Sequence, residues 1–387
     1  MLLPNLHKTL NTALDPADAA ALGPDGARRI AEFLAWRDPS AETPLLALPA
    51  LAADLGIASL DVKDEGKRLG LGSFKALGGA FAVMLLALEE ATRQLGRPVS
   101  YADLHAPDVA AIARAMVFAC ATDGNHGRSV AWGAQLVGAR AVIFVHREVS
   151  QNRIDAIARY GAEMRVVDGT YDESVDEATH VATQEGWTPV SDTSWPGYER
   201  IPLMVMQGYT AMIAEAMAQR DAPPTHVFVQ AGVGGVAAAV AGHLALVMGD
   251  KRPVFVVVEP EHAACILVAA QTGSPTRIPH EQATVMAMLE CCEASPVAWR
   301  VLSRVADAFM TVPDEAAIAV MNRLAKPAGT DPAIVAGESG GAGLAGLIAV
   351  AGNPDWRAAI DLGPNSRALV FNTEGATDPA RYRELVG

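Results

Sequence analysis

The chain has 387 residues, 51% of them hydrophobic, enough for two domains or one large one with a sizeable core, which excludes low-complexity disorder. Against 44 acidic residues stand 30 basic ones, a net charge of −14 with no basic block. That excludes nucleic acid and anionic membranes as partners, because their phosphates would be repelled.

The first ten residues carry Pro4, Asn5 and His7 where a secretory leader needs an apolar run, so none is expected. Ile30, Phe33 and Leu34 give residues 25–36 the spacing of a surface helix. Thr43-Pro44-Leu45 then punctuates the chain, because proline restricts the residue before it. A weak strand over 59–62 leads through Lys63-Asp64-Glu65 into the stretch L-G-L-G-S-F-K-A-L-G-G-A, Leu69 to Ala80, around which the chain is organised. Ser73 is the expected N-cap, its hydroxyl accepting from free amides of the next turn, for a buried helix from Phe74 to Leu88. Lys75 would then lie in the first turn, at the positive end of the helix dipole and the wrong end for a surface cation. A lysine of depressed pKa is one able to form a Schiff base. The alternative for any single lysine is a solvated place on an amphipathic helix.

Residues 93–108 read as a polar connection with some helix. Residues 116–122 are a predicted buried strand running into Asp123-Gly124-Asn125-His126-Gly127, with a helix over 128–137. Strands at 141–145, 164–167 and 188–191 alternate with helices at 153–160 and 172–186, the last strand ending in Asp192. The second half repeats the pattern. It has strands at 226–230, 253–258, 308–312 and 368–372 and a glycine loop, Gly232-Val233-Gly234-Gly235, before a helix at 236–248. Strand, loop and helix at this pitch predict parallel βαβ units in two interleaved α/β sheets, with the chemistry in loops at strand C-termini. The apolar stretch 231–249 is long enough to span a membrane, but its glycine and alanine content fits a packed helix better. The four cysteines, Cys120, Cys265, Cys291 and Cys292, lack metal-binding spacing, so no metal and reduced thiols are expected, in a soluble cytoplasmic protein.

The glycine loop between strand and helix lets backbone amides approach an anion at a helix N-terminus, a phosphate cradle. Two other readings stand beside it. In one the glycines serve only a tight turn. In the other Gly232, Gly234 and Ala237 with Glu259 form a dinucleotide site of an NAD(P)-dependent oxidoreductase. Asn125 is a candidate hydrogen-bond partner for a ligand oxygen, and His126 is a base or a satisfied core histidine. Asp123 and Asp192 each follow a strand. Taken singly each is a helix cap, and together they are two carboxylates across a cleft, suited to proton abstraction from either face.

In order, Gly72-Ser73-Phe74-Lys75, Asp123-Gly124-Asn125-His126-Gly127, Gly232-Val233-Gly234-Gly235 and Asn372-Thr373-Glu374-Gly375 resemble the fold-type II pyridoxal-phosphate enzymes, the tryptophan synthase β and threonine dehydratase group, over residues 43–375. Asp123, where threonine dehydratases carry serine, together with Asp192-Thr193-Ser194-Trp195-Pro196-Gly197-Tyr198 and Gln207-Gly208-Tyr209, is similar to the diaminopropionate ammonia-lyase family. The resemblance implies two doubly wound α/β domains with the site in the cleft between them, residues 1–78 and 196–387 forming the large one and 79–195 the small. It implies pyridoxal 5'-phosphate on Lys75, its phosphate on Gly232, Val233, Gly234 and Gly235, and Phe74 against its ring. Asn125 would meet the ring 3-oxygen, Thr373 the ring nitrogen, and Glu338 would belong to the cofactor shell. Asp123 would serve a D substrate and Asp192 an L substrate in α,β-elimination from 2,3-diaminopropionate, with a homodimer as the assembly. Dehydration of serine, threonine or hydroxyaspartate on the same fold is the alternative. The chain departs from the family at Cys292-Glu293-Ala294, where C-G-E-P is expected, and at Gly340-Gly341, where the family tends to have alanine.

Overall fold

Along its central strands the chain alternates apolar side chains between two cores. Val227, Val229, Phe255 and Val257 face one, while Phe228, Val256, Val258 and Met310 face the other. A strand buried on both sides reads as a continuous apolar run, which is why 226–230 and 254–258 are plain in the sequence. The computed structural model describes every residue except Pro39, Asp123, Thr170 and His280, together with the side chains of Tyr171 and Asp172.

Among the described residues eleven strands occur: β1 (Leu2–Pro4), β2 (Leu45–Ala47), β3 (Ser59–Asp64), β4 (Val117–Ala121), β5 (Arg140–His146), β6 (Glu163–Val167), β7 (Thr188–Pro189), β8 (His226–Gln230), β9 (Val254–Pro260), β10 (Ala308–Val312) and β11 (Arg367–Asn372). They form a seven-stranded sheet ordered β1-β10-β9-β8-β11-β3-β2 and a four-stranded one ordered β6-β5-β4-β7. The small sheet is parallel throughout, and the large one is parallel except for its edge strands β1 and β2. The short edges β1 and β2 are not legible in the sequence because three residues carry no usable period.

The lysine helix runs Lys75–Leu95, seven residues beyond the expected Leu88, to a left-handed Gly96. Its last turns are polar but strong in helix propensity, so the end of the apolar run is not the end of the helix. Ser73 does not cap it. Phe74 is already helical, at φ −55° and ψ −25°, and no side chain caps the first turn. Backbone pairing takes over instead, with Ser73 bridged to Glu374 and the Phe74 N–H donating to the Thr373 carbonyl at 2.9 Å.

This helix lies between the Asn125–Val137 helix of the small sheet and the Arg200–Ala218 helix of the large one. Close approach explains the small-residue run. A Cβ on Gly78 would come within 2.5 Å of Tyr209 Cε1, and one on Gly79 within 2.9 Å of Ser129 Oγ. Upstream of the lysine, Arg68 is fully buried and clasps Glu65 and Glu215, while the buried Lys63 pairs with Glu215 at 2.7 Å. Each ion has partners, the condition under which buried charge is tolerated. The apolar stretch 231–249 holds the Gly235–Met248 helix, and among the described residues no helix is long and apolar enough to cross a membrane.

Candidate active site

Five loops at strand ends converge on one pocket, lined among others by Phe74, Lys75, Asn125, His126, Asp192, Tyr209, Gly232–Val236, Ser339, Thr373 and Glu374. The loop after β11 is zipped to the loop before Lys75, because the Gly375 N–H donates to the Gly72 carbonyl at 3.0 Å beside the Phe74–Thr373 bond. Gly72 must be left-handed there, at φ 83°, which favours glycine. Arg128, on the Asn125–Val137 helix, donates to the Leu71 carbonyl at 2.7 Å and ties the small sheet to the same loop.

Lys75 Nζ and Asp192 Oδ2 form an ion pair, their side chains 20% and 15% exposed. Burial works against the ammonium, but the Asp192 carboxylate outweighs it and holds Lys75 above its ordinary value. Burial likewise works against the Asp192 carboxylate, and Lys75 holds it below the usual range. The depressed lysine pKa expected from the sequence is therefore not found. A full charge in contact is stronger than the fractional one at a helix end.

His126 Nε2 lies 2.8 Å from the Val190 carbonyl and must carry the ring proton there. Its bare Nδ1 faces Asp192 at 4.0 Å, and burial lowers its pKa. The strand before Asp192 is shorter than expected, β7 ending at Pro189, and the Tyr198 hydroxyl fixes the turn beyond it. That hydroxyl donates to the Pro189 carbonyl at 2.8 Å and accepts from the Ser191 N–H at 3.0 Å. On the far side Ser194 and Ser295 share a hydrogen bond of 2.7 Å, so the Asp192 loop is pinned at both ends.

The glycine loop turns at Gly234, φ 99°, into the Gly235–Met248 helix, whose N-terminus opens on the pocket. Side chains on Gly232 or Gly234 would strike Cys291 Sγ or Ile266 Cδ1, each at 2.9 Å, whereas Gly235 has room. Glu259 removes the dinucleotide reading. Its buried carboxylate caps the Cys265–Thr272 helix through the Ile266 and Leu267 N–H groups at 2.7 and 2.8 Å, so it is not free for a ribose.

Thr373 Oγ1 accepts from Gln230 Nε2 at 2.8 Å, which leaves the threonine proton free to donate into the pocket. Asn125 Nδ2 donates to Glu374 Oε2 at 2.7 Å, and burial and the neighbouring Glu338 carboxylate push Glu374 up to about 7. Glu338 itself does not line the pocket. It is buried behind Glu374 and faces Arg153 Nη2 at 3.5 Å, while the next residue, Ser339, reaches the lining. Asp123 lies outside the described residues. Glu374 stands in one of the sequence motifs with no role legible there, since its placement depends on a partner 249 residues away. Tyr209 is likewise a contact made only by tertiary packing.

Neither Gly340 nor Gly341 leaves room for a side chain. A Cβ on Gly340 would lie 2.4 Å from the Glu374 carbonyl, and one on Gly341 2.6 Å from Val320 Cγ1. The divergent segment at 292–294 borders a larger cavity of about 1400 Å³ that adjoins the pocket through Val233, Ala287, Glu290 and Cys291.

The donor set fits pyridoxal phosphate. A buried amine, an amide-lined turn at a helix N-terminus, an aromatic ring beside the lysine and a hydroxyl with a spare proton share one pocket. Comparison with known proteins agrees. The sequence model of a family described as pyridoxal-phosphate-dependent enzymes matches residues 37–374. The chain is 41% identical over 350 residues to a diaminopropionate ammonia-lyase of Escherichia coli strain K12, spanning 89% of this chain and 87% of that protein. It is 36% identical over 356 residues to one of Salmonella typhimurium strain LT2, spanning 89% and 88%. The crystal structure of holo diaminopropionate ammonia lyase from Escherichia coli, with selenomethionine incorporated, superposes with a TM-score of 0.89 at 37% identity, covering 100% of this chain and 96% of that one.

Proposed function

We propose that this chain, which belongs to the pyridoxal-phosphate-dependent enzyme family, is a carbon–nitrogen lyase that eliminates ammonia from 2,3-diaminopropionate, giving pyruvate and a second ammonia. The observation that carries the reading is the Lys75–Asp192 pair, an amine and a proton acceptor in contact within the pocket that the glycine loop closes.

Bound pyridoxal phosphate supplies an electron sink next to the substrate's α-carbon. Lys75 would hold it covalently, the amides of Gly232, Val233, Gly234 and Gly235 would take its phosphate, Asn125 would meet its 3-oxygen and Phe74 its ring. Thr373 would donate its spare proton to the pyridine nitrogen, so that nitrogen stays unprotonated and the sink is a weak one. A weak sink suits elimination, where a leaving group on the β-carbon carries the electrons away. Glu338 would act only from behind, through Glu374.

Asp192, once separated from Lys75, takes the α-proton of the L isomer, and Asp123 would do so for the D isomer. Lys75, or the acid beside it, would supply any proton the departing β-nitrogen needs. A cationic β-amino group beside Asp192 is also favoured electrostatically. The three-carbon enamine set free hydrolyses in water to pyruvate and ammonia. A homodimer, a cytoplasmic location and the 79–195 unit as a small domain complete the proposal, supported by the family resemblance. Light scattering of the purified chain tests the first of these.

The deciding experiment measures pyruvate and ammonia from L- and D-2,3-diaminopropionate, with L-serine and L-threonine alongside. Two ammonia per pyruvate from the diamino acids is expected. Turnover of the hydroxy amino acids alone would make the protein a dehydratase and point to the 292–294 segment as the cause.

A further inference from the structure

The Lys75–Asp192 pair must open for the proposed reaction, since Asp192 cannot hold the lysine and take a substrate proton at once. Two buried polar atoms that lack a hydrogen-bond partner among the described residues flank the pair, His126 Nδ1 and Tyr209 Oη. The histidine atom faces the carboxylate at 4.0 Å. The tyrosine hydroxyl lies on the lysine side, near enough to Lys75 for a weak interaction but not in a well-formed hydrogen bond.

Tyr209 is 1% exposed and lines the pocket. Its ring meets Phe74 edge-on, with centroids 4.8 Å apart, and Lys75 Nζ lies 5.4 Å from the centre of that same Phe74 ring. Gly78 makes the seat. A Cβ there would lie 2.5 and 2.7 Å from Tyr209 Cε1 and Cζ, so the lysine helix is left bare at that position to admit the ring. Phenylalanine would fill the same seat without burying an unpaired hydroxyl, which is unfavourable for stability. Packing therefore accounts for the ring but not for the oxygen.

We propose that Tyr209 is a positioning residue for Lys75, its hydroxyl accepting an Nζ–H when the lysine leaves Asp192. The amine then stays in the pocket, aimed at the reacting atoms, while Asp192 works on the substrate. A hydroxyl suits this post because it has two acceptor lone pairs and, with its own pKa pushed up by burial, does not become a second anion to trap the ammonium. The inference rests on the elimination reading for the moment at which the pair opens.

Full-length wild type and Tyr209→Phe are compared in three measurements. One is the rate at which cofactor-free chain joins added pyridoxal phosphate to Lys75 (amine plus aldehyde, one water released), followed by visible absorption. The others are kcat and KM on L-2,3-diaminopropionate, and the melting temperature without cofactor. The expected result is a joining rate and a kcat each lower by about tenfold to a hundredfold, the range of one hydrogen bond to a charged group. KM should be unchanged and melting equal or higher. Rates within about twofold of wild type, a loss confined to KM, or slower rates with lower melting would overturn the proposal. A wild type inactive on the diamino acid would instead overturn the substrate reading, and the joining rates would still judge Tyr209.

Discussion

At Lys75 two opposing effects meet, burial favouring the neutral amine and Asp192 favouring the charged one, and the carboxylate wins. Asp192→Asn keeps the shape and removes the charge. L-substrate turnover should fall by roughly a hundredfold or more, within the usual reach of a general base. D-substrate turnover should suffer less, and equal losses would show that the two acids do not divide by stereochemistry. Lys75→Ala should abolish turnover together with the visible absorption of lysine-bound cofactor, and a variant working at the wild-type rate would refute the assignment. Lys75 is legible because a lone lysine stands among glycines ahead of an apolar helix. Its ionisation is not, since the controlling charge lies 117 residues away. Asp192 can be named from its motif, but no local signal distinguishes its carboxylate from a helix cap.

The helix that carries the lysine is held by close contacts rather than by capping. Gly78→Ala would drive a methyl group into Tyr209 and should destabilise the protein by about 1–3 kcal/mol, the usual cost of overpacking. The readout is a lower urea midpoint at unchanged slope. Gly363, with nothing within 4 Å of an added Cβ, is the control, expected to change by about 0.5 kcal/mol or less on substitution by alanine. Helices with an apolar face or a preceding strand are visible in the sequence, as at 24–37 and 235–248. The Arg200–Ala218 helix is not, because it is buried nearly all round and shows no clear period.

For the molecule as a whole, the parallel α/β architecture follows from the alternation of strands and helices, whereas strand order does not. β11, last in sequence, lies between β8 and β3, a pairing set by side-chain fit across some 300 residues. Folded stability also carries a pH signature from a buried acid. Burial pushes Glu259 from 4.5 up to about 8, against the helix amides that it accepts from. A carboxyl raised in the folded state contributes stability below the unfolded value and loses it as pH rises to the folded one. Glu259→Gln, neutral at every pH, should therefore gain on the wild type between pH 4.5 and about 8 and gain nothing more above it. Melting curves of the two proteins across that window check this, and parallel curves would mean that Glu259 is ionised throughout.

The position of β11 also bears on how the protein is made. During synthesis β3 and β8 emerge well before the strand that joins them, and each waits with an open edge. The residues that floor the pocket, Thr373 and Glu374, arrive on the same late segment. A chain halted on the ribosome before residue 367 would hold the reactive lysine and the glycine loop but lack the Thr373 and Glu374 side of the pocket, and it would offer two unpaired edges to any neighbouring chain. The pocket is thus complete only once synthesis has passed this point, and abandoned chains are the ones most exposed to aggregation and proteolysis.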